Sequence, residues 1–269
     1  MNNFLSKYCL TFWGHFIYDK LPVLFLSAVS SEKEGSTNSV IASYILEHLD
    51  EVQSLGIREI AQRCNVGTAS LSRFCREIGL SDFAQLRELL TTNQLHFEKP
   101  VPARVYADVV EDRIRRVEES IDFEQVQTLC RDIRRYSKIA AFGLLKAGAA
   151  SLNLQVDLMM LGKQIYTNVS YAQQLQYLAK ADEKTLILIF SYTGSYFDYP
   201  EMKLSWPKNK EPHIWMISGE KRNYPPYVKR ALHFHSAHDQ TGHPYQLLFV
   251  SGLIAQEYAR LYQKDGEQA

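Results

Sequence analysis

Short apolar strands that alternate with helical segments dominate the second half of the chain. The run Thr185–Phe190 has no polar face, and a strand of this kind must be covered on both sides. Because crossovers between parallel strands need intervening helices, the alternation predicts a parallel sheet between two helical layers. The other predicted strands lie at 138–143, 164–166, 213–217 and 231–235, and helices are predicted at 107–120, 123–135, 147–161, 171–180 and 245–262.

The first hundred residues carry a helical period instead. Ile41, Tyr44 and Ile45 mark the inner face of a helix that Ser36 or Thr37 can cap. Further helices are predicted at 57–64, 68–78 and 82–96. The apolar residues 1–30 also have helical spacing and form either a helix packed on its own domain or a dimerisation surface. The prolines at 100 and 102 indicate a linker, so we predict an all-α domain at 1–96, a linker at 97–106 and an α/β domain at 107–269.

Residues 57–79 have the pattern of a helix-turn-helix. In the second helix Leu71, Phe74, Cys75 and Ile78 share one apolar stripe, and Gly67 is expected to relieve the turn before it. The opposite face carries short polar and arginine side chains, which suit the bases and phosphates of a major groove. The candidate DNA-binding residues are Thr68, which is the expected N-cap, Ser70, Ser72, Arg73 and Arg76.

Charge does not support a polyanion-coating protein. The chain has 30 basic and 30 acidic residues, and residues 1–96 hold 8 Lys and Arg against 10 Asp and Glu. Any contact with DNA must therefore come from a local patch. An ordinary helical hairpin with a solvated polar face remains the alternative interpretation of residues 57–79.

The four cysteines predict neither disulfides nor a metal site. They lie at Cys9, Cys64, Cys75 and Cys130, without a CxxC pair or a zinc-like spacing to histidine. The apolar run at 21–29 is too short to cross a bilayer, and no cleavage site follows it. We therefore expect a reduced, cytoplasmic protein that binds no membrane, no metal and no cofactor.

Residues 37–90 resemble the N-terminal domain of the RpiR (MurR/RpiR) family of bacterial transcriptional regulators. The resemblance rests on the segments 41–46, 57–61 and 70–80, and most of all on Ser72-Arg73-Phe74-Cys75 with Gly79-Leu80. It implies a regulator that is not an enzyme and that binds a double-stranded DNA operator. It also implies a homodimer or homotetramer, because paired recognition helices read paired half-sites.

Members of this family carry a C-terminal SIS (sugar isomerase) domain, which the α/β half of the chain resembles. The resemblance implies a sugar-phosphate effector bound by loops at the carboxyl ends of the strands. The second loop, Ser191 to Tyr196, is similar to the family's Ser-x-Ser-Gly-x-Thr, although Tyr196 replaces the final threonine. The first loop departs from Gly-x-Gly-x-Ser, with Leu145 for the second glycine and Ala147 for the serine. The implied ligand-binding residues are Gly143, Lys146, Ser191, Thr193, Gly194 and Ser195.

Two other interpretations remain open at this stage. A SIS-type sugar-phosphate isomerase would need a base next to the substrate carbonyl; Glu201 follows the second loop without an evident partner. A regulator whose SIS domain only dimerises would explain the altered first loop. The histidines at 233, 235, 238 and 243 are expected to be mostly surface residues, with a pocket role or a metal site as alternatives.

Overall fold

The computed structural model describes residues 20–92, 100–198, 204–236 and 239–263, and its N-terminal part is helical. Two of the helices correspond to the predicted helix-turn-helix, whereas the single-turn α3 was not predicted. The helical spacing at residues 5–16 lies outside the described residues. The helices are α1 (Lys20–Ser31), α2 (Thr37–Glu47), α3 (Leu49–Val52), α4 (Ile57–Arg63), α5 (Thr68–Glu77) and α6 (Phe83–Thr92).

The C-terminal part is a parallel sheet with helices on its faces. Its helices are α7 (Tyr106–Ser120), α8 (Phe123–Arg135), α9 (Lys146–Met160), α10 (Tyr171–Lys180) and α11 (Gly242–Tyr262), and a short 3-10 turn covers Ala103–Val105. Its strands, in the spatial order β1-β2-β3-β4, are β1 (Lys138–Gly143), β2 (Thr185–Phe190), β3 (His213–Ser218) and β4 (Val228–His233). The predicted fold class, an all-α helix-turn-helix domain followed by a parallel αβα domain, is confirmed.

Local capping explains several helix boundaries. Ser36 caps α2, since its side chain accepts a hydrogen bond from the amide of Ser39 at 3.2 Å. Asp122 caps α8 by accepting from the amides of Glu124 and Gln125.

Two of the predicted strands differ from the structure. Residues 164–166 do not form a regular strand, since only Tyr166 pairs with the sheet, through one isolated parallel bridge to Ala140. The last strand begins at Val228 rather than at 231. The early part of β4 contains the exposed Lys229 and Arg230, because β4 is the last strand in the spatial order of the sheet. A search for apolar runs therefore misses the first residues of this strand.

The register brings the two candidate loops to the same edge of the sheet. Gly143, the last residue of β1, pairs with Phe190, the last residue of β2. Because these parallel strands end level with one another, the loops that follow them leave the sheet side by side.

The two faces of the sheet belong to different hydrophobic clusters. One face packs with α7, α8, α9 and α11 and includes Leu188 and Trp215. The other face, which includes Phe142 and Ile189, belongs to a cluster that continues into the N-terminal helices through Phe25 and Phe74. Helix α1 contacts α2, α6 and α10, so it joins the two parts of the molecule.

None of the described helices is both long enough and apolar enough to cross a membrane.

Candidate DNA-reading helix and ligand loops

Helix α5 presents the predicted polar face away from its core. Leu71, Phe74 and Cys75 are fully buried, and the ring of Phe74 stacks on Phe25 of α1 with 5.9 Å between centroids. Burial also raises the pKa of the Cys75 thiol to about 12, so this cysteine stays protonated and unreactive. The residues predicted to contact DNA are all at least partly exposed, with Thr68, Arg73 and Arg76 fully on the surface and Ser70 and Ser72 half-buried.

The turn before α5 differs from the prediction in two respects. Gly67 is the N-cap, with an extended φ of −77°, and Thr68 is the first helical residue, so the expectation that Thr68 caps the helix was wrong. A Cβ added at Gly67 would meet nothing within 4 Å, so Gly67 does not relieve the turn. That role belongs to Asn65, whose φ of 52° is in the left-handed region that asparagine tolerates.

The acidic residue at the end of α5 is hydrogen-bonded to a neighbouring helix. Glu77 accepts a hydrogen bond from the side chain of Asn38 on α2 at 2.7 Å, and Arg76 donates from Nε to the Ser72 carbonyl within its own helix at 3.3 Å. Helix α5 holds two arginines against one glutamate and so has a local positive charge, although residues 1–96 are slightly acidic.

The first candidate loop is shaped by the close approach of α9 to the end of β1. A Cβ added at Gly143 would lie 2.6 Å from the backbone carbon and oxygen of Ala147. Leu145 has φ 51° and ψ −119°, a conformation that normally requires glycine, and its partly buried side chain packs on the cluster shared with the N-terminal helices. Lys146 is exposed and Ala147 is buried.

The second candidate loop holds its hydroxyl groups close together. Ser191 and Ser195 are buried, and the hydroxyls of Thr193 and Ser195 are 2.7 Å apart. Gly194 has φ 69°, and its amide donates to the Ser191 carbonyl at 2.9 Å to close the turn. Arg222, which sequence reasoning missed, donates to the Thr193 carbonyl at 3.3 Å.

Two buried glutamines anchor the tyrosines of the second loop, and neither was identified from sequence. Tyr196 donates to Oε1 of Gln174 on α10 at 2.9 Å, and Tyr192 donates to Oε1 of Gln246 on α11 at 2.8 Å. A usable signal existed, since Gln174 lies with Tyr171 and Leu178 on the buried face of an amphipathic helix. A polar residue at a core position of that kind needs hydrogen-bond partners.

His243 lies at the junction of the two loops. Its ring stacks on Tyr192 with 4.4 Å between centroids, and it is buried, contrary to the expectation that the histidines are mostly on the surface. Burial, with a smaller contribution from the charge of Lys146, lowers the pKa of His243 to about 3.

His233 and His235 do not join His243 in a cluster of metal ligands. His233 is half-buried, with a pKa lowered by burial, and His235 is exposed. Residue 238 and the glutamate at 201 lie outside the described residues. Within the part of the chain that the structure describes, no group of three or more His, Cys, Asp or Glu side chains could hold a metal ion.

Two solved structures illustrate the partial similarity of this chain to known proteins. The Vibrio vulnificus NanR protein complexed with ManNAc-6P has a TM-score of 0.48 and 15% identity, covering 90% of this chain and 92% of that chain. The sugar isomerase domain of an RpiR transcription factor from Sphaerobacter thermophilus has a TM-score of 0.43 and 15% identity, covering 61% of this chain and 92% of that chain.

Sequence similarity identifies the N-terminal domain. An uncharacterized HTH-type transcriptional regulator of Haemophilus influenzae is 27% identical over 165 residues, 55% of this chain and 55% of that protein. Another, from Caldanaerobacter subterraneus, is 47% identical over 47 residues, 18% of this chain and 17% of that protein. The chain thus matches about half, or less, of the length of these relatives. The helix-turn-helix domain of the rpiR family matches residues 24–94. Residues 24–94 therefore form a helix-turn-helix domain of the rpiR family type.

Proposed function

We propose that the chain is a DNA-binding transcriptional regulator of RpiR type that reads its operator with α5. The observation that carries the proposal is the exposed face of α5, where Arg73 and Arg76 project beside Ser70 and Ser72 in a helix-turn-helix of the family. Arginine donates in bidentate fashion to guanine, and short hydroxyl side chains reach phosphate or base edges. In this proposal Thr68 contacts a phosphate from the first turn of the helix.

The test of DNA reading compares three arginine variants on one selected duplex. Purified protein first selects its site from a random duplex library, and Kd is then measured at fixed salt. We expect Arg73→Ala and Arg76→Ala each to weaken binding by ~1–3 kcal/mol, roughly 5- to 150-fold. Arg115→Ala is the matched control, since Arg115 pairs with Glu111 on the exposed face of α7. Equal affinity of all three variants would contradict the assignment.

We further propose that the C-terminal domain is a SIS domain whose loops bind a phosphorylated sugar. The hydroxyls of Thr193 and Ser195 lie 2.7 Å apart beside Gly194, and Ser191 directly follows the carboxyl end of β2, next to Gly143 of β1. Hydroxyls and loop amides at this edge are suited to phosphate oxygens, and Lys146 adds a positive charge at the start of α9.

A panel of sugar phosphates tests this site by thermal shift. A ligand at 100 times its Kd should stabilise the fold by about 2.7 kcal/mol. The stabilisation should fall sharply in Ser195→Ala and persist in Ser120→Ala, a serine on α7. No shift with any member of the panel would favour a domain that only dimerises.

The low pKa of His243 argues against the isomerase alternative. A general base works best when its pKa is near the operating pH, and that of His243 is lowered to about 3. A base this weak gives little driving force for removing a proton next to a carbonyl. Steady isomerase turnover by the purified protein would nevertheless restore the enzyme interpretation.

The proposal includes assembly into a dimer or tetramer, for which α9 offers a self-complementary surface. Leu152, Val156, Met159 and Met160 are 42% to 72% exposed and form a stripe without a charged residue. Their spacing of four, three and one residues is close to that of a coiled-coil seam. The same uncharged stripe on a second copy of the chain would cover it across a two-fold axis.

A further inference from the structure

One buried side chain connects both candidate ligand loops. Gln174 on α10 is fully buried and donates from Nε2 to the carbonyl of Gly143, at the start of the first loop, at 3.0 Å. The same nitrogen donates to the carbonyl of Asn168 at 2.6 Å, and Oε1 accepts from the hydroxyl of Tyr196 in the second loop. A displacement of either loop therefore disturbs the hydrogen bonds of the other.

The opposite side of the second loop has a matching arrangement. Gln246 on α11 accepts from Tyr192 and donates to the carbonyls of Arg113 and His235, at 2.8 and 3.0 Å. The two glutamines thus make equivalent bonds on two sides of one loop. They differ in what lies behind them, because α11 packs on α7, α8 and α9, whereas α10 contacts α1.

The first turn of α10 is capped by a residue of the N-terminal domain. The hydroxyl of Ser27 on α1 accepts from the amide of Tyr171 at 3.1 Å and donates to the carbonyl of Val169 at 3.3 Å. The first amides of a helix have no partner within it. The local N-cap Ser170 accepts from the amide of Gln173, and Ser27 adds an acceptor for the amide of Tyr171 from a distant part of the chain. Tyr171 also packs edge-to-face on Tyr196, with 5.8 Å between ring centroids.

The same helix α1 supports the DNA-reading helix. Two residues before Ser27, the fully buried Phe25 stacks on Phe74 of α5 with an angle of 9° between the rings. A movement of α1 that followed α10 would therefore act directly on the core of α5.

We propose that Gln174 is a positioning residue that joins the two loops, and that Ser27 transmits their arrangement to α5. This inference rests on the proposed function and specifies how ligand and DNA binding are coupled. A ligand that draws in Gly143 or Tyr196 changes the geometry at a fully buried amide. Because unsatisfied buried groups are costly, Gln174 and the start of α10 must adjust together. Ser27, bound to that start, carries the adjustment into α1.

The experiment uses amide hydrogen exchange on the full chain, without operator or effector. Tyr196→Phe removes the hydroxyl that binds Gln174, and Tyr192→Phe is the matched control that removes the hydroxyl bound to Gln246. We expect Tyr196→Phe to speed exchange in residues 68–77 roughly fivefold or more and Tyr192→Phe to leave this helix unchanged. In a Ser27→Ala background the effect of Tyr196→Phe on α5 should disappear. Gln174→Met, which keeps the volume and removes the hydrogen bonds, should reproduce Tyr196→Phe.

Three results would overturn the inference. They are faster exchange confined to the C-terminal domain, equal effects of the two tyrosine variants on α5, and an undiminished effect of Tyr196→Phe when Ser27 is alanine. Faster amide exchange along the whole chain, including α8, would also contradict the inference, because it would indicate a loss of global stability. Since neither DNA nor sugar phosphate is present, failure here leaves the proposed function standing. A failed DNA or ligand test likewise leaves this result interpretable.

Discussion

The two candidate loops leave adjacent strands, yet they meet the same backbone requirement with different residues. The second loop turns at Gly194, where a φ of 69° costs a glycine little. The first loop turns at Leu145, whose φ of 51° and ψ of −119° strain a residue with a side chain. In return, the side chain of Leu145 packs on the hydrophobic cluster that includes the N-terminal helices.

This difference separates a loop held by packing from a loop held by hydrogen bonds. The first loop depends on the close packing of α9 against Gly143 and on the partial burial of Leu145. Its residues carry no hydroxyl group. The second loop is fixed by its tyrosines and presents three hydroxyl side chains. A polar ligand would therefore obtain its side-chain hydroxyl contacts from the second loop.

The largest effect is expected from adding a side chain at Gly143, where α9 packs closely against the end of β1. Gly143→Ala should destabilise the protein by about 3 kcal/mol, because its Cβ would lie 2.6 Å from backbone atoms of Ala147 and α9 must move. Urea unfolding measures the change. Gly252→Ala is the matched control, since nothing lies within 4 Å of a Cβ there and the site is inside α11. That variant should be neutral or stabilised by about 1 kcal/mol. Equal stabilities of the two variants would show that the first loop is not held by packing.

A second effect concerns the junction of the loops at His243. The pKa of His243 is lowered from an ordinary 6.5 to about 3 in the folded protein. At a pH between these two values, only the unfolded chain therefore binds a proton at this residue. Stability should therefore decrease as the pH falls through this window, by about 2 kcal/mol between pH 7 and pH 5.

His243→Gln provides the control for this pH dependence. His213 and His233 also have lowered pKa values, which act in the same direction, but they are present in both proteins. The difference in slope between wild type and variant, measured by urea unfolding at each pH, therefore isolates His243. Identical slopes would mean that the junction is open to water.

The smallest effect tests the strain at Leu145. Both Leu145→Ala and Leu145→Gly lose the packed side chain, but only glycine relieves the backbone. The glycine variant should be more stable than the alanine variant by about 1 kcal/mol, the reverse of the usual order. Thermal unfolding of the pair decides the sign. If the alanine variant were the more stable, the backbone at Leu145 would not be strained, and the two loops would not differ in this respect.

Sequence periodicity predicted most of the architecture because burial dictates it locally. The run at β2, the stripe of α5 and the Asp122 cap depend on residues within a few positions of one another. The turn before α5 was harder, since Asn65 and Gly67 are both plausible turn residues and only the backbone angles show which one is left-handed.

The contacts around the candidate site could not be read from the sequence in the same way. Tyr192 and Gln246 are 54 positions apart, and Ser27 reaches Tyr171 across 144 positions. Such pairs are chosen by the topology of the sheet and not by spacing along the chain. A buried glutamine signals that partners exist, but it does not say which residues they are.

The cap that Ser27 places on α10 bears on where the molecule can be divided. The sequence predicts a linker at 97–106, but α1, which precedes this segment, contacts both α2 before it and α10 after it. Cutting the chain there would leave the first turn of α10 without one of its hydrogen-bond acceptors and uncover apolar surface on the sheet. The smallest unit that keeps the hydrogen bonds around the candidate ligand loops intact therefore includes α1.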